Sequence, residues 1–231
     1  GGQAEYVRVP YANVGPTVIP EGMDPDDAVM LTDVVPTGYQ AAEMGGIQPG
    51  DTVIVFGAGP VGIMAARCCW LFGAGRVIII DKIDYRLEFA RNYDQCEAYN
   101  YEELGDPVVF AKKTTDWMGA DVVIDAVGAE ATGSKMQTIT GRKLLLQAGS
   151  ATALHWAINS VKKGGIVSIV GVYGPTDNLI PIGNVVNKGI TIRANQASVK
   201  GLLPRLIQHV QNGVLNPKAL ITHRIPLEEA A

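Results

Sequence analysis

The run Thr52-Val53-Ile54-Val55-Phe56-Gly57-Ala58-Gly59-Pro60-Val61-Gly62 changes character at Gly57. Before it stands a short β-branched stretch suited to a strand. After it come two more glycines at the spacing G-x-G-x-x-G, and then apolar residues at Val61, Met64, Ala65, Cys68 and Phe72, which trace one face of a helix. A strand that turns through glycines into a helix N-terminus is a cradle for a pyrophosphate. Gly57 permits the tight turn, Gly59 lets the backbone approach the phosphates, and Gly62 lets the helix pack on the strand. By itself this spacing is common in glycine-rich turns. Here a second strand, Arg76 to Ile80, ends at Asp81. That acid lies roughly two dozen residues beyond Gly57, close to the ~20 at which a carboxylate meets an adenosine ribose. Its negative charge opposes a 2′-phosphate and favours NAD over NADP. Lys82 and Arg86 stand beside it.

Working outward, strand and helix patterns alternate. Asp24-Pro25-Asp26-Asp27 is a helix start, with a capping side chain, proline at the first helical position and carboxylates at the positive end of the dipole. A second helix runs over about 35–44 and stops at Gly45-Gly46. Further helices are predicted over 85–92, 108–114, 154–161 and 199–212, with Gly164-Gly165 ending the third of these. Further strands are predicted over 97–100, 121–128, 166–171 and 189–193. The continuous apolar runs suit strands covered on both faces. The expectation is an α/β fold, a doubly wound parallel sheet, with its ligand edge at the strand carboxyl ends. The stretch 5–9 alternates like a half-buried strand, 17–20 reads as extended, and 221–226 leaves the domain extended. The stretch 129–150 reads as an inserted loop with one short helix. Gly128 and Gly171 end two later strands on the ligand edge, as cofactor approaches or as plain turns.

Composition sets limits. The chain has 231 residues, 47% hydrophobic and 18% charged, enough for a real core. A net charge of −4 with no basic block argues against nucleic acid. No apolar run approaches the ~20 residues that span a bilayer. Cys68, Cys69 and Cys96 form no disulfide framework and no zinc knuckle, which fits a reducing, cytoplasmic setting. Cys68 lies on the apolar stripe of its helix, whereas Cys69 lies off it. His155, His209 and His223 carry no metal-site spacing, and His209 is expected to be solvated. Both ends read as cut from a longer chain, with 1–32 one remnant, 33–213 the dinucleotide-binding domain and 214–231 a returning segment.

The order of motifs resembles the zinc-containing alcohol dehydrogenases of the medium-chain dehydrogenase/reductase superfamily. The motifs are Thr37-Gly38-Tyr39, the glycine turn 57–62, Asp81, Asp125-Ala126-Val127-Gly128, and Lys163-Gly164-Gly165-Ile166-Val167-Ser168-Ile169-Val170-Gly171. The resemblance covers nearly the whole chain. It implies a Rossmann coenzyme domain preceded by a GroES-like catalytic domain, of which 1–32 is the remnant. It implies Thr37 near the nicotinamide, Pro60 and Val61 at the pyrophosphate turn, and Lys82 and Arg86 near the adenine ribose. It places Val127, Gly128, Val170, Gly171 and Val172 along the nicotinamide half. Asp33 takes the position of a zinc ligand that is commonly cysteine. An aspartate there, and the long insert, are similar to the glutathione-independent formaldehyde dehydrogenase branch. A helix cap is the other reading of Asp33. The implied reaction is hydride transfer between an alcohol or hydrated aldehyde and NAD, in a homodimer or higher homo-oligomer. With one candidate zinc ligand, this piece is expected to bind NAD without holding zinc or turning over alcohol. A stand-alone NAD-binding sensor is the alternative, and Asp33 and Asp81 speak against a zinc-free quinone reductase.

Overall fold

A computed structural model describes residues 4–128, 151–173 and 180–229. The insert expected at 129–150 lies outside the described residues. Six strands form one parallel sheet: β1 (Thr52–Phe56), β2 (Arg76–Asp81), β3 (Glu97–Asn100), β4 (Ala120–Asp125), β5 (Val161–Ile169) and β6 (Thr191–Ala194). Their order is β3-β2-β1-β4-β5-β6, with every pairing parallel. The chain therefore runs outward from β1 in one direction and outward from β4 in the other. The crevice between their carboxyl ends is where an open sheet of this kind takes a ligand.

Side-chain alternation explains why the central strands are apolar without interruption. Val53, Val55, Val77 and Ile79 enter one core, and Ile54, Phe56, Ile78 and Ile80 enter another. The first core is covered by α2 (Val34–Gly45), α3 (Pro60–Leu71), α4 (Asp84–Asp94) and α9 (Val199–Gln211). The second is covered by α6 (Pro107–Lys113) and α7 (Ala151–Ser160), with α8 (Ile182–Lys188) at its margin. Each such fully buried aliphatic side chain contributes roughly 1.5–3 kcal/mol. Among the described residues the remaining α-helices are α1 (Pro25–Met30) and the short α5 (Tyr101–Leu104). Among the described residues no helix is long and apolar enough to cross a membrane.

The helix starts follow their caps. Asp24 Oδ1 accepts from the Asp26 amide at 3.0 Å, with Pro25 in the first turn of α1. The acidic turn also grips the distant 218–224 segment. Lys218 Nζ lies 3.0 Å from Asp24 Oδ2, the Lys218 amide donates to Asp27 Oδ1 at 3.1 Å, and Arg224 pairs with Asp26.

Tertiary contacts overrule local pattern in several places. The stretch 5–9 is not a strand: Tyr6 is 91% and Val7 61% exposed, and no described strand pairs with it. Alternation makes a strand only where a neighbouring backbone completes the ladder. The helix α7 ends at Ser160, so Gly164-Gly165 does not stop it. Instead β5 begins at Val161, paired with Ala120, and the register shifts before Val122 meets Ile166. Gly164 (φ +73°) and Gly165 form that irregularity, and a Cβ on Gly165 would stand 2.8 Å from the Asp121 carbonyl oxygen. The helix α8 has no counterpart in the pattern, and Gly189 is its left-handed C-cap where a strand start was expected. Cys69 is as buried as Cys68, because α3 is enclosed nearly all round. A Cβ on Gly38 would lie 2.8 Å from Met64 Cβ, which shows how closely α2 presses on α3. His209 is half-buried, its ring centroid 6.0 Å from that of Tyr39.

Asp94, at the end of α4, is buried, and neither carboxylate oxygen has a hydrogen-bond partner among the described residues. Arg67 Nε stands 4.0 Å away. Burial pushes its carboxyl from 3.8 up to about 7, against the opposing pull of Arg67. The folded state thus holds a proton that the unfolded chain gives up near pH 4. The stability from this group is full below that pH and is lost as pH rises through about 7. Asp94→Asn is therefore expected to gain about 2–4 kcal/mol relative to wild type between pH 5 and pH 8. Urea unfolding at the two pH values checks this, and an unchanged pH slope would sink it.

Candidate functional site

The chain leaves β1 through a turn built on missing side chains. Gly57 has φ +98°, and a Cβ there would stand 2.8 Å from the Ala126 carbonyl oxygen. Its amide donates to the Ile80 carbonyl at 2.8 Å, tying the turn to β2. A Cβ on Gly62 would lie within the Gly57 carbonyl oxygen. Gly59 differs: a Cβ there would meet only Arg86 Nη1, at 3.9 Å. Gly57 and Gly62 are thus glycine because the protein fills their space, while the space before Gly59 is left open. Gly59 is the N-cap of α3 and Pro60 opens its first turn. Both line a cleft of about 670 Å³, together with Val61. The positive end of the α3 dipole, with its amides unpaired within the helix, opens onto that cleft.

Asp81 closes the turn from β2. Its Oδ2 accepts from the Ala58 amide at 2.6 Å, and its Oδ1 accepts from the amides of Lys82 at 2.6 Å and Ile83 at 3.1 Å. A carboxylate offers about four acceptor sites, so capacity for a ligand hydroxyl remains. Lys82, Ile83 and Arg86 line the same end of the cleft. Arg86 lies 5.8 Å from the Tyr85 ring centroid, with Nε 3.2 Å from the Tyr85 hydroxyl.

An aromatic wall, absent from the sequence reading, completes this end. Tyr101 and Trp156 line the cleft with Phe56 and Ile80. The Trp156 ring stands 5.2 Å from Tyr101 and 5.9 Å from Phe56. Such rings offer apolar faces to a planar base. Neither residue belongs to a spacing pattern, since α5 and α7 meet only in the folded sheet.

The opposite end is made by the segments after β4 and β5. Val127, Gly128 and Val172 line the cleft, whereas Val170 and Gly171 are not among its lining residues. The amides of Val170 and Gly171 donate to the Asp125 carbonyl at 3.0 and 2.9 Å, and Val170 packs on the first core. The two strand-end glycines then part company. A Cβ on Gly171 would stand 2.9 Å from the Val127 carbonyl oxygen, so close packing explains that glycine. A Cβ on Gly128 would meet nothing within 4 Å among the described residues, which leaves its face toward the cleft. Asp125 is fully buried between these segments. Burial pushes its carboxyl up to about 6, opposed by hydrogen bonds from Tyr173 and the Val127 amide.

Asp33 and Thr37 meet at the N-terminus of α2. Asp33 lines the cleft and sits at the N-cap position, and the Thr37 hydroxyl donates to its Oδ1 at 2.8 Å. Thr37 itself is not among the residues that line the cleft. Among the described residues no three His, Cys, Asp or Glu side chains come together in a metal-holding group. A catalytic zinc needs about three protein ligands. Asp33 is one donor, and the described residues do not complete such a site.

Comparison with known proteins agrees with this geometry. The family described as zinc-binding dehydrogenase matches residues 60–143. The uncharacterized zinc-type alcohol dehydrogenase-like protein AdhB of Bacillus subtilis is 40% identical over 232 residues, spanning 100% of this chain and 61% of its own length. The glutathione-independent formaldehyde dehydrogenase of the same organism is 35% identical over 186 residues, spanning 77% of this chain and 42% of its own. The solved alcohol dehydrogenase TADH from Thermus sp. ATN1 superposes with a TM-score of 0.84 at 33% identity, covering 100% of this chain and 61% of its own. The chain thus spans about three fifths of the length of AdhB and TADH. With a glycine turn, a strand-end acid and a six-strand parallel sheet in this order, it belongs to the zinc-type alcohol dehydrogenase-like family of the medium-chain dehydrogenase/reductase superfamily.

Proposed function

We propose that the cleft is an NAD site and that the chain is the coenzyme-binding part of a dehydrogenase that moves hydride between an alcohol, or a hydrated aldehyde, and NAD. The observation that carries this is the union of the glycine turn and Asp81. The carboxylate that would hold the ribose hydroxyls is locked 2.6 Å from the Ala58 amide, inside the turn that would hold the pyrophosphate. The open face of Gly59 and the N-terminus of α3 receive the phosphates. Tyr101 and Trp156 shelter the adenine, and Lys82 and Arg86 flank its ribose. Val127, Gly128 and Val172 shape the other half. NAD supplies the hydride acceptor, and the residues named bind it, orient it and exclude water around it. A carboxylate at Asp81 favours NAD over NADP, because it repels a 2′-phosphate.

Thr37 and Asp33 stand on the reaction side of this arrangement. Asp33 is the candidate zinc ligand, and it favours the formaldehyde dehydrogenase-like branch. With Asp33 as one candidate donor where a catalytic zinc takes about three, the chain by itself is expected to bind NAD without turning over alcohol. The strand β6 supports self-association, since among the described residues no strand pairs with its outer edge, and such an edge can extend a sheet into a second copy. Titration calorimetry with NAD+ and NADP+ tests the main reading, with micromolar-range binding expected for NAD+ and much weaker binding for NADP+. Equal affinity for both would remove the role of Asp81, and failure to bind either would remove the site. Alcohol-dependent NADH formation by this chain would overturn its inactivity.

A further inference from the structure

Asp125 ends β4 at the carboxyl edge of the sheet, wholly shielded from solvent, and it does not itself line the cleft. Two chain segments converge on it. From 126–128, the Val127 amide donates to its Oδ1 at 3.1 Å. From 170–173, the amides of Val170 and Gly171 donate to its backbone oxygen, and the Tyr173 hydroxyl donates to its Oδ2. The two segments also touch directly, through the Val172 amide and the Val127 carbonyl at 3.3 Å. Gly171 is pressed so closely on this junction that a Cβ would stand 3.1 Å from Asp125 Oδ1.

A buried carboxyl is costly to keep, and an apolar residue would close a strand end more cheaply. This carboxyl joins two segments whose outer residues, Val127, Gly128 and Val172, line the cleft. Asp81 and the glycine turn lie on the β1–β2 side of the crevice, and these segments lie on the β4–β5 side. A dinucleotide anchored by its adenosine and pyrophosphate therefore lays its other half along them.

We propose that Asp125 and Tyr173 form a positioning pair: their carboxyl–hydroxyl contact holds the 126–128 and 170–173 segments in the shape that receives the nicotinamide half of the cofactor. This rests on the reading of the cleft as an NAD site. The test compares NADH with ADP-ribose, which lacks the nicotinamide, by calorimetry on wild type, Asp125→Ala, Asp125→Asn and Tyr173→Phe. Wild type is expected to bind both. Asp125→Ala and Tyr173→Phe are expected to weaken NADH about three- to tenfold, the span of one lost hydrogen bond, and to keep ADP-ribose within about twofold. Asparagine can accept from the Val127 amide and donate to the tyrosine oxygen, so Asp125→Asn is expected to restore NADH binding to within about twofold. Tyr173→Phe carries the test if the alanine variant fails to fold. Equal losses for both ligands would show a merely structural role and overturn the pair, as would unchanged NADH affinity in both disruptive variants. Binding of neither ligand by wild type would overturn the NAD reading itself, and the pair's role with it.

Discussion

Gly62→Ala is expected to abolish NADH binding and to destabilise the fold by about 2–4 kcal/mol, at the upper end of overpacking costs. The reason is geometric. The new methyl would stand 1.9 Å from the Gly57 carbonyl oxygen, which is backbone and has no rotamer to escape through. Either α3 must lift from β1 or the turn must open. Lifting α3 breaks its contact with α2, where Gly38 already leaves no space beside Met64. Opening the turn breaks the bond from the Gly57 amide to Ile80. Gly59→Ala is the control. Its methyl would meet only the end of the Arg86 side chain, so stability should stay within about 0.5 kcal/mol of wild type. NADH should nonetheless bind more weakly, because the methyl occupies the ligand's approach. Urea unfolding and calorimetry on the two variants separate a glycine required by the protein from one required by its ligand. Equal unfolding free energies for both variants would contradict the assignment.

Asp81→Ala is expected to lower NADH affinity about 10- to 150-fold, the cost of losing charge-assisted hydrogen bonds worth roughly 1.5–3 kcal/mol. Two losses coincide. The ribose hydroxyls lose their acceptor, and the Ala58, Lys82 and Ile83 amides lose the carboxylate that holds them in place. The turn then loosens beneath the pyrophosphate. Selectivity should also collapse, because the charge that repels a 2′-phosphate is gone while Lys82 and Arg86 remain at the rim. The measurement is the ratio of NAD+ to NADP+ affinity in wild type and variant. A ratio that does not fall would mean that Asp81 braces the turn without choosing the cofactor.

Much of the fold was legible because its signals are local. The strand Arg76–Asp81 declares itself by a continuous apolar run, and α1 by Asp24 and Pro25. The turn declares itself by glycines that the backbone path demands. The candidate site was legible where the position follows from local pattern, as with Asp81, which ends β2 and lines the cleft. It was not legible at Tyr101 and Trp156, which become a wall only when α5 and α7 meet. Nor was it legible at Asp125, whose motif was visible while its partners, Val127 and Tyr173, were not. The stretch 5–9 failed for the converse reason: its alternation is local, but a strand needs a neighbour.

The sequence by itself determined the αβ alternation, the glycine turn at 57–62 and the acid at 81, on which the proposed class of ligand rests, since each follows from backbone dihedrals, side-chain period and charge within a short window. Only the tertiary structure decided which glycines the packing demands and which one faces open space, which carboxyls are sealed from water, and which aromatics face the cleft. Those outcomes depend on what stands within a few ångströms. In a parallel sheet whose order departs from chain order, that neighbour comes from a distant part of the chain.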